Sequence, residues 1–95
     1  MRLATSVLFF AMLACNDTVE VTARRYEVAG DCFRSPARVG TIEHGATCDD
    51  VIVYAADGSG ACFQFPNGCL PSGFEVRGYD ATACGSPDVD AHACE

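Results

Sequence analysis

This 95-residue sequence contains seven cysteines, whose side chains can take part in more kinds of chemistry than any others in the chain. Their thiols can pair as disulfides, bind a metal ion or carry a lipid. No two of them have the C-x2-C or C-x4-C spacing that places two thiolates on one zinc ion. Six fall within residues 31–95, a density typical of a disulfide scaffold in an exported protein. We therefore predict that these six are oxidised, with no metal and no other cofactor: Cys32, Cys48, Cys62, Cys69, Cys84 and Cys94.

The seventh cysteine follows an N-terminal leader. One arginine precedes an apolar run over residues 7–13, and the small Ala14 comes directly before Cys15. This order is typical of an export signal, and the run is shorter than the roughly 20 residues that a spanning helix needs. Met12-Leu13-Ala14-Cys15 resembles the lipobox of bacterial lipoproteins, where a signal peptidase cuts before a lipid-bearing cysteine. The resemblance implies a signal peptide over residues 1–14 and a membrane lipid attached to Cys15.

The odd number of cysteines agrees with this interpretation. A lipid on Cys15 leaves six cysteines, which can close three disulfides without an unpaired thiol. Three alternatives stay open at this point. Ordinary signal peptidase could cut after Ala14 and release a soluble secreted protein, Cys15 could stay free or join two chains, and the leader could be retained as an apolar strand or helix.

Composition and spacing exclude several function classes. The sequence has no lysine, and therefore no P-loop and no Schiff base. His44 and His92 belong to no metal or catalytic motif, and no serine lies in a G-x-S-x-G elbow, so we predict no catalytic residues and no enzyme. Thirteen acidic residues against six arginines give a net charge of −7, which disfavours nucleic acid as a partner.

Four arginines are concentrated in one short segment: Arg24, Arg25, Arg34 and Arg38. We expect them to pair with the nearby carboxylates of Glu20, Glu27 and Asp31. The alternative is a basic face turned toward an anionic lipid or glycan surface.

Periodicity predicts a small, mostly β, disulfide-rich single domain built from short antiparallel strands and hairpins. We divide the chain into a signal peptide (1–14), a lipidated N-terminus with the first strand (15–30) and a cysteine-rich β domain (31–95). Strands are predicted over residues 19–23, 39–43, 51–55, 61–65 and 74–79. The apolar phase slips at Arg24-Arg25, which predicts a bulge or a bend there. Order weakens after Asp80.

Glycines and prolines between these strands predict two turns. Asp57-Gly58-Ser59-Gly60 should close a hairpin between the third and fourth strands, and Phe65-Pro66-Asn67-Gly68 should form the next turn. Cys62 and Cys69 flank the second turn, so a Cys62–Cys69 bridge is predicted, and the main rival pairs one of them with Cys48. The aromatic side chains of this region should form the core: Phe63, Phe65 and Phe74, with Leu70.

The region after the leader is similar to small cysteine-rich bacterial lipoproteins of unknown role. The similarity rests on arginine without lysine and on the segments Cys32-Phe33-Arg34-Ser35-Pro36 and Asn67-Gly68-Cys69-Leu70-Pro71. We therefore expect an exported module, anchored by lipid in the bacterial cell envelope, that acts in binding or as a structural part, with a protein or glycan partner left open. The alternative is a soluble secreted effector or a protease inhibitor, whose exposed loop would be residues 66–73.

Overall fold

A ten-residue strand, β1 (Thr18–Glu27), organises the part of the chain that the computed structural model describes, residues 17–90 and 92–95. It is followed by β2 (Cys32–Phe33), β3 (Ala37–Glu43), β4 (Val53–Ala56), β5 (Cys62–Phe65), β6 (Glu75–Gly78) and a 3-10 helix (Ala81–Cys84). The strands form one antiparallel sheet in the order β2-β1-β5-β4-β6, with β3 also paired to β1. The predicted small, mostly β, disulfide-rich class is confirmed. The leader, Cys15 and its lipidation lie outside the described residues.

Both edges of β1 are used, but over different lengths. β2 and β3 follow one another along one edge, because the Arg34 N–H donates to the Arg25 carbonyl between them at 2.9 Å. β5 pairs with the opposite edge only at Arg24 and Arg25. The β1–β3 register shifts between Val21 and Thr22, so the irregularity in this pairing lies there and not at Arg24-Arg25, where a bulge or a bend is predicted.

The apolar phase changes along β1 because both faces of the sheet are covered. Val21 and Ala23 pack on one face with Val53, Ala55 and Phe65, which we call the front face. Tyr26 packs on the other, the back face, together with Phe33, Tyr54 and Ala81. Successive side chains of a strand point to opposite faces, so β1 can supply both clusters without a bulge at Arg24-Arg25.

The predicted aromatic core is confirmed on the front face. Phe65 is fully buried, and its ring centroid lies 5.0 Å from that of Phe74 in an edge-on arrangement. Phe63 contacts the same ring at 5.5 Å, and Leu70 packs against the cluster. Edge-on pairs of this kind contribute about 0.5–1.5 kcal/mol each beyond the area they bury.

The β4–β5 hairpin forms at the predicted turn. The Asp57 carboxylate accepts hydrogen bonds from the backbone N–H groups of Ser59 (2.9 Å) and Ala61 (3.0 Å), and Gly60 has the positive φ of +93° that the turn needs. The Ser59 hydroxyl also donates to this carboxylate at 2.7 Å, and this bond, followed by the two backbone bonds, holds the pKa of Asp57 below its ordinary value. β4 begins at Val53, so the predicted third strand begins two residues too early. Val51 and Ile52 are half exposed.

The other predicted strands form with small shifts in their bounds. The first is longer than predicted and is continuous through Glu27, the second is β3, and the last is the four-residue β6. Order continues after Asp80, contrary to the prediction, because Asp80 caps the 3-10 helix by accepting from the Thr82 N–H at 2.9 Å.

Three disulfides staple the sheet: Cys32–Cys94, Cys48–Cys69 and Cys62–Cys84. The predicted Cys62–Cys69 bridge is wrong, and the rival pairing through Cys48 is the one that forms. After Pro66 the chain runs beside the segment that precedes β4, where the Gly68 N–H donates to the Asp49 carbonyl at 2.9 Å. Cys69 therefore meets Cys48, and Cys62 meets the 3-10 helix.

The disulfides place the domain in an oxidising, extracytoplasmic environment. Within residues 17–90 and 92–95, no helix is long and apolar enough to cross a membrane.

Candidate binding cleft

An apolar cleft opens between β1 and β5 where the two strands stop pairing, and residues of both faces line it. Their last pair is Arg24 with Gln64, and two residues further along β5 stands Pro66, which has no N–H to donate. The strands part from this point and leave a cavity of about 280 Å³. Its lining comes from four parts of the chain: Thr22, Ala23, Arg24, Pro36, Ile52, Gln64, Phe65 and Pro66.

The cleft has an apolar floor and one charged wall. Phe65 is fully buried beneath it, whereas Ile52 keeps about half of its surface (49%) exposed at its mouth. The charged wall is Arg24, and among the residues that the structure describes no carboxylate contributes to the lining. Gln64 is held by a 3.0 Å hydrogen bond from its amide nitrogen to the Tyr54 hydroxyl. The position of this amide is therefore fixed by the packed back face.

A second depression lies beside the cleft, and Arg24 and Gln64 line both of them. It has a volume of about 270 Å³ and is completed by Phe33, His92 and Ala93. His92 comes from the C-terminal segment, whose backbone is bonded to Phe33 on both sides: the Phe33 N–H donates to the His92 carbonyl, and the Cys94 N–H donates to the Phe33 carbonyl, each at 2.9 Å. The Cys32–Cys94 disulfide reinforces this attachment.

The arginine segment divides into paired and unpaired members. Arg34 forms a salt bridge with Glu27, and Arg38 forms one with Glu20 at 2.7 Å. Internal pairing is thus the correct prediction for these two. Among the described residues, no carboxylate lies within salt-bridge distance of Arg24 or Arg25.

Asp31, the third predicted carboxylate partner, is engaged by a tyrosine instead. The Tyr26 hydroxyl donates to its carboxylate at 2.6 Å, and Asp31 has a φ of +49° at the turn between β1 and β2. This hydrogen bond lowers the pKa of Asp31, with a further lowering by Ser86, and raises the pKa of Tyr26. The contact fixes the β1–β2 turn, beside the second depression.

The remaining candidate residues do not gather into a reactive group. His44 is exposed at the end of β3, where its N–H donates to the Asp17 carbonyl at 2.8 Å. Within the described residues, no group of three or more histidine, cysteine, aspartate or glutamate side chains is arranged to hold a metal ion. The 66–73 loop is fastened by Cys48–Cys69 and turns Leu70 and Pro71 inward.

Sequence reasoning missed the cleft. Pro66 was the available signal, because a proline that follows a strand ends its hydrogen-bonded ladder. The contributions of Pro36 and Ile52 depend on long-range packing and have no local signature. Comparison with protein-family models, with curated proteins and with solved structures finds no match to this chain.

Proposed function

We propose that this chain is an exported binding module, anchored to a bacterial membrane by lipid on Cys15, whose cleft between β1 and β5 receives a ligand. The cleft is the observation that carries the binding role. It combines an apolar floor, an unpaired arginine and a fixed amide in one open cavity, a combination typical of sites that orient a ligand.

The lipid anchor is supported by the leader and by the disulfides. The six cysteines of residues 31–95 all pair with each other, so Cys15 is left without a partner inside the domain. Thioether-linked and amide-linked acyl chains together bury far more methylene groups than one myristoyl chain, at about 0.8 kcal/mol per methylene, and so give stable anchoring.

The domain would lie close to such an anchor. Asp17 is already fixed to the end of β3 through its bond from the His44 N–H, and β1 begins at Thr18. Only two residues separate Cys15 from Thr18. This arrangement favours a module that acts at the membrane surface.

The soluble inhibitor alternative has less support. An inhibitory loop presents its side chains to a protease, but Leu70 and Pro71 of the 66–73 loop are turned into the domain. The same loop is held down by the Cys48–Cys69 disulfide.

Membrane fractionation and intact mass of the full chain expressed in a bacterium test the anchor. We expect the wild type in the membrane fraction, cleaved before Cys15 and heavier by the mass of its acyl chains. Cys15→Ser should be released from membranes or remain unprocessed, and Thr18→Ser should behave as wild type. An unmodified Cys15 in a soluble protein would overturn the anchor and favour the secreted alternative.

A further inference from the structure

The edge of β1 beside the cleft has unpaired backbone groups. Because the Arg25 carbonyl accepts from Arg34, the odd-numbered residues of β1 direct their N–H and C=O groups toward β2 and β3. The even-numbered residues direct theirs toward β5, yet β5 reaches only Arg24 and Arg25. In the described part of the chain, no strand therefore pairs with the N–H and C=O groups of Thr18, Glu20 and Thr22 on this side.

This edge and the apolar cleft meet at Thr22. The Thr22 side chain lines the cleft, and the half-exposed Ile52 lies across it beside Pro66. An extended chain that paired with this edge would direct alternate side chains into the cleft. Strand addition to an open edge derives its affinity from the main chain and its specificity from such pockets.

The charges of the cleft favour an acidic ligand. Arg24 lines both depressions, and His92 lines the second. Within residues 17–90 and 92–95, no carboxylate lines either depression, although the chain carries a net charge of −7. Among the described residues, the Arg24 guanidinium donates one long hydrogen bond, of 3.5 Å, to the Arg34 carbonyl, and no carboxylate lies within salt-bridge distance of it. Glu20, the acidic residue on the free edge, is already paired with Arg38.

We propose that an extended acidic peptide adds as a strand to the free edge of β1 over Thr18–Thr22. One apolar side chain of the peptide fills the cleft over Ile52, and a carboxylate two residues along the peptide, on the same face, pairs with Arg24. This inference rests on the proposed binding role and names its ligand class. A peptide is favoured over an acyl chain because a peptide can hydrogen-bond to the backbone N–H and C=O groups of Thr18, Glu20 and Thr22, and an acyl chain cannot.

The test is a titration of the oxidised, 15N-labelled full chain followed by two-dimensional NMR. The probe is the acetylated and amidated pentapeptide Thr-Ile-Thr-Asp-Thr, whose isoleucine and aspartate share one face of an extended chain. We expect saturable shifts at the amides of Thr18, Glu20, Thr22 and Arg24. The same peptide N-methylated at alternate amides should lose at least about tenfold in affinity, because it cannot donate to the edge. Lysine in place of its aspartate should cost about fivefold.

Two variants separate the charge effect from the fold. Arg24→Gln should remove the preference for aspartate over lysine in the peptide, and Arg77→Gln, an exposed arginine on β6, should retain it. Their spectra report directly whether each variant is folded.

Three results would overturn the proposal: no shifts, shifts confined to other surfaces, or equal binding of the N-methylated peptide. If the shifts at the β1 edge appear without peptide and depend on protein concentration, the occupant of the edge is a second copy of the chain and the peptide proposal is overturned. The mass of Cys15 is measured independently, so a failed titration leaves the anchor standing.

Discussion

Gly78 provides a sharp test of how the 3-10 helix is packed on the sheet. It lies in β6, opposite Tyr54 of β4, and a Cβ added there would lie 2.9 Å from the Cβ of Ala83. Carbon atoms in contact are normally about 3.5–4.0 Å apart, so the helix would have to move by up to about 1 Å. Ala81 is fully buried and Cys84 is bonded to Cys62, which resists that movement.

The expected net effect of Gly78→Ala is a loss of about 1–2 kcal/mol in the free energy of unfolding. Overpacking of this kind costs about 1–3 kcal/mol. Replacing a strand glycine by alanine would otherwise contribute about 0.5–1 kcal/mol of stability. The cost of the clash therefore exceeds the gain from removing the glycine, and Gly78→Ala should lower the free energy of unfolding. Urea unfolding of the oxidised full chain, followed by circular dichroism at 25 °C, measures the difference.

Two further variants make the test specific. Gly58→Ala places a Cβ where no atom lies within 4 Å, so its stability should stay within about 0.5 kcal/mol of the wild type. Ala83→Gly removes the atom that clashes and should recover most of the loss when combined with Gly78→Ala, a coupling of about 1 kcal/mol or more. Strictly additive losses, or a Gly78→Ala variant as stable as the wild type, would refute this account of the packing.

Two predictions concern the rest of the domain. The pKa of Asp31 is lowered in the folded state, so its contribution to stability is present above its ordinary pKa of 3.8 and is lost as pH falls through the lower folded value. Asparagine tolerates the same positive φ, so Asp31→Asn should lose less unfolding free energy than the wild type between about pH 5 and pH 2, as measured by urea unfolding. An equal loss in the two proteins would contradict the assignment. Proteolysis without reduction should release peptides linked as Cys32–Cys94, Cys48–Cys69 and Cys62–Cys84, whereas a Cys62–Cys69 peptide would show that the sheet packs differently.

Features with local causes could be predicted from the sequence. The Asp57–Gly60 hairpin is one, because the aspartate carboxylate and the glycine backbone determine the turn within four residues. The aromatic core is another, because a domain of this size has few other large side chains to bury. Both depend on residues close in sequence or on composition, which a single sequence reports directly.

The disulfide pairing and the phase of β1 could not be predicted in the same way. A Cys62–Cys69 bridge follows if the Pro66 turn begins a hairpin, but the chain instead passes beside Asp49 and never returns along β5. The apolar phase of β1 does change at Arg24-Arg25, but the second buried face causes this change and a bulge does not. A bulge and a second buried face give the same pattern in sequence, and the packing of Phe33 and Ala81 over Tyr26 distinguishes them.

The position of the cleft connects the fold to the proposed anchor. β1 and β4 run in the same direction, with β5 antiparallel between them, so the start of β1, the start of β4 and the end of β5 lie at one end of the sheet. Thr22, Ile52 and Pro66 place the cleft toward that end. From Cys15 to Thr22 the chain reaches at most about 25 Å when fully extended, at about 3.4 Å per residue. A peptide paired with the free edge would therefore be held within that distance of a lipid on Cys15, which restricts its source to proteins or segments that come close to the membrane surface.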